Sequence, residues 1–588
     1  MKSWPSEAEY CDVLVVGSGA SGLTAAITAA HGGLDVVVAE KANVFGGTSA
    51  WSGGWLWIPR NSLAREAQII EDNGEARQYL DTLLGNRADH DRLNVFLENG
   101  PKMVDFLSRI GAMRWLDGNG VPDFYEHEGA RAGGRSVTAE PMDGRDLGTL
   151  IDKLRKPLQP LTVAGMAINS GSDMAHFFKA TRSFRSMIYV AGRLARHGFD
   201  LATKGRSMQL VGGNALVARL LKKANSLGVR LWSDSPLCEL ICEENRVIGA
   251  KLCRGGTTLH VRTRQGVILA GGGFPHDGKR QGDLFPAHGP TGHQSAAPRA
   301  NTGETLRIAE AVGARTDTTV AEMAAWAPVS QLPSAGDEAI NFPHLVDRAK
   351  PGFIAVNRRG HRFVNEADSY YDFMVALFED TPSGEDPSCW LICDHRAQRQ
   401  FGIGAAKPFP FPLKAHLKSG YLKRGRSLRA LANQIELPAG ALEQTVETFN
   451  RFAKDGLDPE FKRGSSAYNR VQGWPDNPYP NPSLRPLDKG PFYAVKLVPG
   501  SLGTFAGLSV DAVGRVLDEE QQPIDGLYAV GNDAVSVMAG HYPSGGITLG
   551  PGMTFGYVTG RLLSGEPVLS ISNHESISKE RMHSNDLL

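Results

Sequence analysis

A glycine-rich turn between a short apolar segment and an alanine-rich segment constrains the fold of this chain more than any other feature. Residues 11–16 (CDVLVV) predict a buried strand, and residues 23–30 (LTAAITAA) predict a helix. The turn between them reads Gly17-Ser18-Gly19-Ala20-Ser21-Gly22, and a second predicted strand over residues 35–39 ends at Glu40. A strand, a glycine turn, a helix, a second strand and an acid in this order predict a dinucleotide-binding unit.

Each of the three glycines of this turn is required for a different physical reason. Gly17 permits the tight turn, Gly19 lets a pyrophosphate approach the backbone, and Gly22 lets the helix pack on the strand. The N-terminus of the helix then faces the phosphate charge. We expect Glu40 to accept a hydrogen bond from a ribose hydroxyl.

Composition excludes several classes of protein. Lysine and arginine total 63, as do aspartate and glutamate, so no positive excess favours nucleic acid as a partner. No apolar run approaches the roughly 20 residues that span a bilayer. The N-terminal residues lack an apolar signal segment, and we expect a cytoplasmic protein without a transmembrane segment.

The cysteines predict neither a disulfide framework nor a metal site. The chain has six, scattered over 588 residues. Cys238 and Cys242, like Cys389 and Cys393, lack the spacing of a zinc site. We expect these four to be buried thiols.

Four glycine clusters lie in distant parts of the chain, at residues 17–22, 46–54, 271–273 and 540–552. A single site built from all of them requires a discontinuous domain. The sequence therefore predicts an α/β fold, in which residues 1–285 and 491–570 form a Rossmann-like dinucleotide-binding domain. An α+β substrate or capping domain is inserted over residues 286–490, and residues 571–588 form a polar tail.

Three segments outside the first turn carry further expectations. Residues 62–112 show helical periodicity, and residues 352–366 (GFIAVNRRGHRFVNE) predict a β-hairpin that turns at Arg359-Gly360. Residues 174–205 form a basic amphipathic stretch. We expect a solvated helix face there, and a lipid-surface role is the alternative.

The segment that follows Glu40 favours FAD over NAD. A nicotinamide domain normally continues into further strand–helix repeats, whereas residues 41–61 (KANVFGGTSAWSGGWLWIPRN) form a glycine-rich loop. This loop resembles the flavin-contacting loop of the fumarate reductase and 3-ketosteroid dehydrogenase flavoprotein family. Residues 266–273, 526–533 and 540–556 are similar to later flavin-binding segments of that family, in the same order. Tryptophans 51, 55 and 57 either flank the flavin or pack in the core.

The resemblance implies FAD as the cofactor, and it implies non-covalent binding because loop 41–61 has no histidine. Together with the glycine turn, it implies the following cofactor-binding residues: Gly17, Gly19, Ala20, Ser21, Gly22, Glu40, Lys41, Gly47, Thr48, Ser49, Gly53, Gly54, Ala270, Gly271, Gly272, Gly531, Asn532, Ile547 and Leu549.

The family contains several chemistries, and this sequence departs from the fumarate-reducing branch. That branch has an arginine four residues after the Asn-Glu of its VNxxGxRFVNE signature, where this chain has Tyr370. Its substrate-binding arginine in the last glycine loop corresponds to Pro543, and its paired-histidine element corresponds to residues 502–507 (LGTFAG). Without these cationic groups, dicarboxylate chemistry is disfavoured.

The same positions resemble the 3-ketosteroid Δ1-dehydrogenase branch. Tyr542-Pro543-Ser544-Gly545-Gly546 is similar to that branch's Tyr-Pro-Gly-x-Gly loop, in which the tyrosine hydroxyl and the second glycine's amide bind the ketone oxygen. Tyr370 corresponds to its proton-abstracting tyrosine. A supporting tyrosine follows an aspartate in that branch, and here residues 123–125 read Asp-Phe-Tyr, so the phenol has either moved to Tyr125 or is absent.

These residues predict an FAD-dependent α,β-dehydrogenation of a cyclic ketone. Tyr370 takes the α-proton, the β-hydrogen leaves as hydride to flavin N5, and two donors on the carbonyl oxygen stabilise the enolate. The substrate is an apolar small molecule, either a 3-oxosteroid or a smaller cyclohexanone derivative. Reduction of an activated alkene is the alternative reaction, and an electron carrier or redox sensor is the alternative class. The sequence specifies neither the external electron acceptor nor the oligomeric state.

Overall fold

The computed structural model describes residues 8–72, 74–169, 171–286, 292–333 and 340–568. The polar tail predicted over residues 571–588 lies outside them. The described α-helices are α1 (Ala20–His31), α2 (Ser62–Glu66), α3 (Glu75–Leu84), α4 (His90–Arg109), α5 (Ser172–Lys179), α6 (Phe184–Lys204), α7 (Gly212–Ser226), α8 (Gly278–Leu284), α9 (Glu304–Glu310), α10 (Tyr370–Asp380), α11 (His395–Phe401), α12 (Lys414–Lys418), α13 (Leu428–Gln434), α14 (Ala439–Ala453), α15 (Ala467–Gln472) and α16 (Leu549–Leu563).

The largest sheet has eight strands drawn from both ends of the chain. Strand Glu9–Val16 lies at its centre and pairs in parallel with Val36–Ala39 and with Thr257–Leu269. Strand Thr257–Leu269 also pairs in parallel with Pro523–Ala529, which joins the C-terminal segment to the N-terminal one. The sheet is completed by Arg230–Trp232, Leu237–Glu243, Arg246–Arg254 and Arg515–Leu517.

Helices α1 and α16 pack on each other beside this sheet, so the first and last glycine segments meet. Glycine makes the close approach possible. A Cβ at Gly556 of α16 would lie 2.4 Å from the carbonyl oxygen of Ser21. The contact brings the N-terminus of α16 close to the turn that precedes α1.

A second sheet of four antiparallel strands lies in the middle segment. Its order is Phe353–Val356, Cys389–Cys393, Phe492–Leu497 and Lys423–Gly425. The third of these strands begins just after residue 490, the end predicted for the insert. The sheet of the middle segment therefore continues past that position.

The remaining strands form small sheets. Two have three strands each: Trp55–Trp57, Ser136–Ala139 and Trp115–Asp117; and Gln294–Ser295, Gly500–Thr504 and Ala324–Trp326. Four have two strands each: Thr316–Asp317 with Gly507–Leu508, Val329–Leu332 with Ile340–Pro343, Met142–Asp143 with Gln209–Leu210, and Thr162–Val163 with Met166–Ala167.

The hairpin predicted over residues 352–366 is wrong in its second half. Strand Phe353–Val356 and the following turn are present, but residues 361–366 form no strand. The Oε1 of Glu366 accepts the backbone N–H of Ala355 at 3.0 Å, a hydrogen bond that a partner strand would otherwise make. Glu366 also pairs with the buried guanidinium groups of Arg362, at 2.8 Å, and Arg463, at 3.0 Å.

The cysteine prediction needs one correction. Cys238 and Cys253 form a disulfide between adjacent antiparallel strands, and both residues are exposed, so Cys238 is not a buried thiol. Cys238 lies at the bulge next to the Leu237–Leu252 pair, and Cys253 follows Leu252, so the strand pairing brings the two cysteines together, which spacing alone did not indicate. Cys389 and Cys393 are buried free thiols as predicted, and Cys242 is half-buried.

The basic amphipathic stretch forms α5 and α6. Its outward side carries apolar as well as basic side chains: Phe184 is 73% exposed and Phe199 is 63% exposed. On the inward side, Arg193 pairs with Asp173 at 2.7 Å. In the part of the chain that the structure describes, none of the helices has both the length and the apolar character needed to cross a bilayer.

Candidate active site

A cavity of about 1340 Å³ runs from the first glycine turn to the middle segment. This volume exceeds the roughly 300–1,000 Å³ of a pocket for one ligand, so two molecules can lie in it side by side. Most predicted cofactor residues line it: Gly17, Gly19, Ala20, Ser21, Glu40, Lys41, Gly47, Thr48, Ser49, Gly53, Gly54, Ala270, Gly271, Gly272, Gly531, Asn532 and Leu549.

Two predicted cofactor residues lie behind this wall. A Cβ at Gly22 would be 2.2 Å from the carbonyl oxygen of Gly17, so Gly22 allows α1 to pack against the turn. Ile547 is buried and lines a small separate cavity of about 30 Å³ that also touches Gly531 and Thr548. Both support the cavity wall from outside the cavity.

The turn before α1 fits a dinucleotide. Gly17 has φ +111°, and a Cβ there would lie 2.1 Å from the carbonyl oxygen of Ala270. The N-cap residue Gly19 has no side chain to cap α1, and the first amides of a helix lack intrahelical acceptors. Ser49 of the second glycine cluster accepts the Ala20 N–H at 3.0 Å, which fixes loop 41–61 against the turn.

The two charged residues after the second strand also line this end of the cavity. Glu40 Oε2 accepts from the Ser18 hydroxyl at 2.5 Å, and its Oε1 accepts from the Ala42 N–H at 2.9 Å. Lys41 Nζ pairs with Glu304 at 2.5 Å and donates to the Thr302 hydroxyl at 3.1 Å. Glu40 thus braces the turn, and the charge of Lys41 is balanced within the protein.

The three tryptophans of loop 41–61 lie in two different surroundings. Trp57 is fully buried in the core and donates from Nε1 to Asp123 at 2.8 Å. Trp51 and Trp55 line the cavity.

Tyr370 and Tyr542 meet in the other half of the cavity, as the sequence predicts. The hydroxyl of Tyr370 donates to that of Tyr542 at 2.8 Å, and the two rings meet edge to face with centroids 5.2 Å apart. Tyr370 is the first residue of α10, whose N-cap Ser369 accepts the Asp372 N–H. Gly546 lines the same cavity, and its amide N–H has no acceptor among the described residues.

The structure separates Tyr125 from this pair. Its hydroxyl donates to Asp372 Oδ1 at 2.8 Å. The preceding residue, Phe124, packs on both tyrosines instead, with its centroid 5.6 Å from that of Tyr542 and 5.9 Å from that of Tyr370. The position beside the pair therefore holds a phenyl ring without a hydroxyl.

Sequence reasoning missed two residues that act on the tyrosine pair, one on the cavity wall and one buried behind it. Tyr468 of α15 lines the cavity, with its ring 4.5 Å from that of Phe124. Arg348 is fully buried, and its Nη2 has no hydrogen-bond partner among the described residues. Neither lies in a motif that local sequence distinguishes, because both approach the pair only through the fold.

Both phenols are neutral at pH 7. Burial, followed by the neighbouring Tyr542 and Tyr468, raises the pKa of Tyr370 well above its usual value, and the guanidinium of Arg348 acts in the opposite direction. Burial raises the pKa of Tyr542 to about 12, although the hydrogen bond from Tyr370 opposes this. Tyr370 must therefore lose its proton before it can accept another.

A glycine-lined dinucleotide site that opens onto paired phenols defines a class of protein, a flavin-dependent oxidoreductase. Residues 12–549 match the family described as the FAD binding domain, and the chain belongs to this family. Within it, the chain falls in the 3-ketosteroid Δ1-dehydrogenase branch, whose members are FAD-dependent enzymes that act on CH–CH groups.

Three similar proteins show the range of the branch. A 4-oxocyclohex-2-ene-1-carboxylate 5-dehydrogenase of Sinomonas cyclohexanicum is 40% identical over 94% of this chain and 93% of its own length. A 3-oxosteroid 1-dehydrogenase of Mycolicibacterium smegmatis is 35% identical over 94% of this chain and 96% of its own length. The crystal structure of 3-ketosteroid delta1-dehydrogenase from Sterolibacterium denitrificans, in complex with 1,4-androstadiene-3,17-dione, superimposes with a TM-score of 0.87. It is 36% identical, over 95% of this chain and 100% of that chain.

Proposed function

We propose that this chain desaturates the α,β carbon–carbon bond of a cyclic ketone, with Tyr370 as the base. The observation that carries the proposal is the 2.8 Å hydrogen bond between the Tyr370 and Tyr542 hydroxyls on the wall of the cavity. A reaction that removes an α-proton needs a base and a partner for the carbonyl oxygen, and an electron carrier needs neither.

The carbonyl oxygen lies between Tyr542 and Gly546. Tyr542 accepts a hydrogen bond from Tyr370, which leaves its own O–H free to donate to the ketone. The unpartnered N–H of Gly546 supplies the second donor. Two donors on the oxygen stabilise negative charge as the α-proton leaves, and removal of one such donor typically costs about 3–4 kcal/mol of transition-state stabilisation.

FAD, when bound, supplies the acceptor for the two electrons that leave the substrate. We propose that it lies without a covalent bond along the glycine-lined half of the cavity. The N-terminus of α1 would hold its phosphates, and Glu40 would accept a hydrogen bond from its ribose. Residues 1–285 and the C-terminal segment would form the Rossmann-like domain that holds it, and the segment between them would form the inserted domain that closes over it. The boundary predicted at residue 490 moves past strand Phe492–Leu497, because that strand belongs to the middle sheet.

Cavity volume and lining indicate the kind of ketone. The half that holds the tyrosines is walled by aromatic side chains, among them Phe124, Tyr468 and Trp474. Flat rings pack well on such walls. An apolar cyclic ketone, either a 3-oxosteroid or a smaller cyclohexanone derivative, is the substrate class that fits, and an external acceptor reoxidises the cofactor.

Substitution of the two tyrosines tests the assignment. Tyr370→Phe and Tyr542→Phe should each give a folded, yellow protein, because each change removes only one oxygen atom. The kcat of each variant should fall at least a hundredfold, because that oxygen belongs to the base or to the donor for the carbonyl oxygen. Tyr421→Phe is the matched control, since Tyr421 is equally buried but its hydroxyl bonds Ser330 and Ala405. Near-normal turnover in either test variant, measured by steady-state kinetics with an artificial electron acceptor, would remove the assigned role.

A further inference from the structure

We propose that the ammonium group of Lys350 binds a carboxylate carried by the ketone substrate, on the side of the ring opposite the carbonyl. The inference rests on the proposed function and narrows its substrate class. Lys350 lines the same cavity as the tyrosine pair and is 7% exposed. It follows a short turn at Asp347–Ala349.

The hydrogen bonds of Lys350 leave room for a ligand. Nζ donates to the carbonyl oxygens of Gln472 at 2.6 Å and Gly473 at 2.9 Å, at the end of α15. An ammonium group has three N–H donors, so one remains. Both acceptors are neutral, and no carboxylate of the described residues lies within 4.0 Å of Nζ.

Two other buried cations of the middle segment, Arg362 and Arg463, have carboxylate partners. Arg362 pairs with Glu366 at 2.8 Å and with Asp458 at 2.9 Å. Arg463 pairs with Glu366 at 3.0 Å. Because a buried charge without a counter-charge is costly, an unpaired ammonium on a cavity wall is suited to an anionic ligand.

The position of Lys350 fits a substituent at the far end of the substrate. Tyr468 and Gln472 both lie on α15 and both line the cavity, and four residues of helix rise about 6 Å. In the proposed binding mode, the ketone oxygen lies at Tyr542 and the opposite side of the ring lies near Lys350, on the wall that α15 contributes to the same cavity. Two relatives, 40% and 35% identical to this chain, are named for six-membered ring ketones that carry a carboxylate.

Two kinds of molecule present this chemistry, a small ring keto acid and a 3-oxosteroid with a carboxylated side chain. The test compares each acid with its methyl ester, since esterification removes the charge and keeps the ring. Dissociation constants are measured with the FAD-loaded protein by thermal-shift titration, independently of turnover, and kcat and KM are measured in parallel. The first pair of probes is 4-oxocyclohexanecarboxylate and its methyl ester.

We expect the unaltered protein to bind at least one acid tenfold or more tightly than its ester. Lys350→Met should abolish that preference, chiefly through KM and the dissociation constant of the acid, and should leave ester binding unchanged. Lys350→Arg should restore most of the preference. Lys489→Met, which removes an exposed lysine of the middle segment, should have no effect. The acid that binds more tightly than its ester, either the small keto acid or the carboxylated 3-oxosteroid, identifies the kind of substrate.

Equal binding of acid and ester in both pairs, or a preference that survives Lys350→Met, would overturn the inference. Oxidation of the esters in that case would leave the proposed function intact. Binding preference without oxidation of any ketone would leave the carboxylate subsite intact and would remove the proposed function instead.

Discussion

Tyr370 is a phenol whose surroundings oppose ionisation, and this determines how the activity depends on pH. Burial and the neighbouring Tyr542 and Tyr468 raise its pKa, so the base is protonated at pH 7 and the reactive fraction grows as pH increases. We expect log kcat/KM to rise with a slope near 1 between pH 7 and 9. A flat profile, with no deuterium isotope effect from the α position, would mean that deprotonation of Tyr370 does not limit the reaction.

The buried guanidinium of Arg348 lowers the pKa of Tyr370, against the effect of burial. Substitution of Arg348 therefore tests whether the pH profile reports the ionisation of Tyr370. Arg348 Nη1 donates to the Glu366 carbonyl oxygen at 2.6 Å. Arg348→Met should move the rising limb to higher pH, because a cation that favoured the phenolate is gone, and Arg348→Lys should move it less. A uniform loss of rate, with the limb unmoved, would assign Arg348 a purely structural part.

At the scale of elements, the turn between strand Glu9–Val16 and α1 depends on a missing side chain. Gly17 has φ +111°, and a Cβ there would lie 2.1 Å from the carbonyl oxygen of Ala270. Gly17→Ala should therefore shift two adjacent strand ends, and it should lower FAD affinity at least tenfold, as fluorescence titration measures. Gly33 has φ +89° but open space around its Cβ position. Gly33→Ala should cost only the backbone strain, about 1–2 kcal/mol of stability, and should bind FAD normally.

Elements that depend on neighbouring residues could be predicted from the sequence, and those that depend on distant ones could not. The turn before α1 follows from six consecutive residues, since strand, glycines and helix are all local. Residues 361–366 have a hairpin pattern but form no strand, because Glu366 binds Arg463, almost a hundred positions away. The Cys238–Cys253 disulfide depends on the register of two strands, which no spacing rule indicates.

At the scale of the whole molecule, the family resemblance was needed to predict that Tyr370 and Tyr542 meet. They are separated by 172 positions, and nothing local relates them. The glycine-lined half of the cavity was easier to predict, because each glycine cluster is recognisable by itself. Tyr468 and Lys350 were missed because they reach the cavity only through packing of the middle segment, and Arg348 was missed because the same packing buries it near Tyr370.

The direction of the reaction is a property of the complete molecule, and one measurement tests it. The FAD-loaded protein is mixed anaerobically with a saturated cyclic ketone, from small cyclohexanones to 3-oxosteroids, and absorbance of the oxidised flavin is followed. We expect the band to bleach in a single turnover with at least one ketone, and to persist with Tyr370→Phe over the same time. The account would be contradicted if the flavin band persisted with every ketone, and if chemically reduced protein regained the band on addition of an activated alkene. That pair of results would establish alkene reduction instead of desaturation.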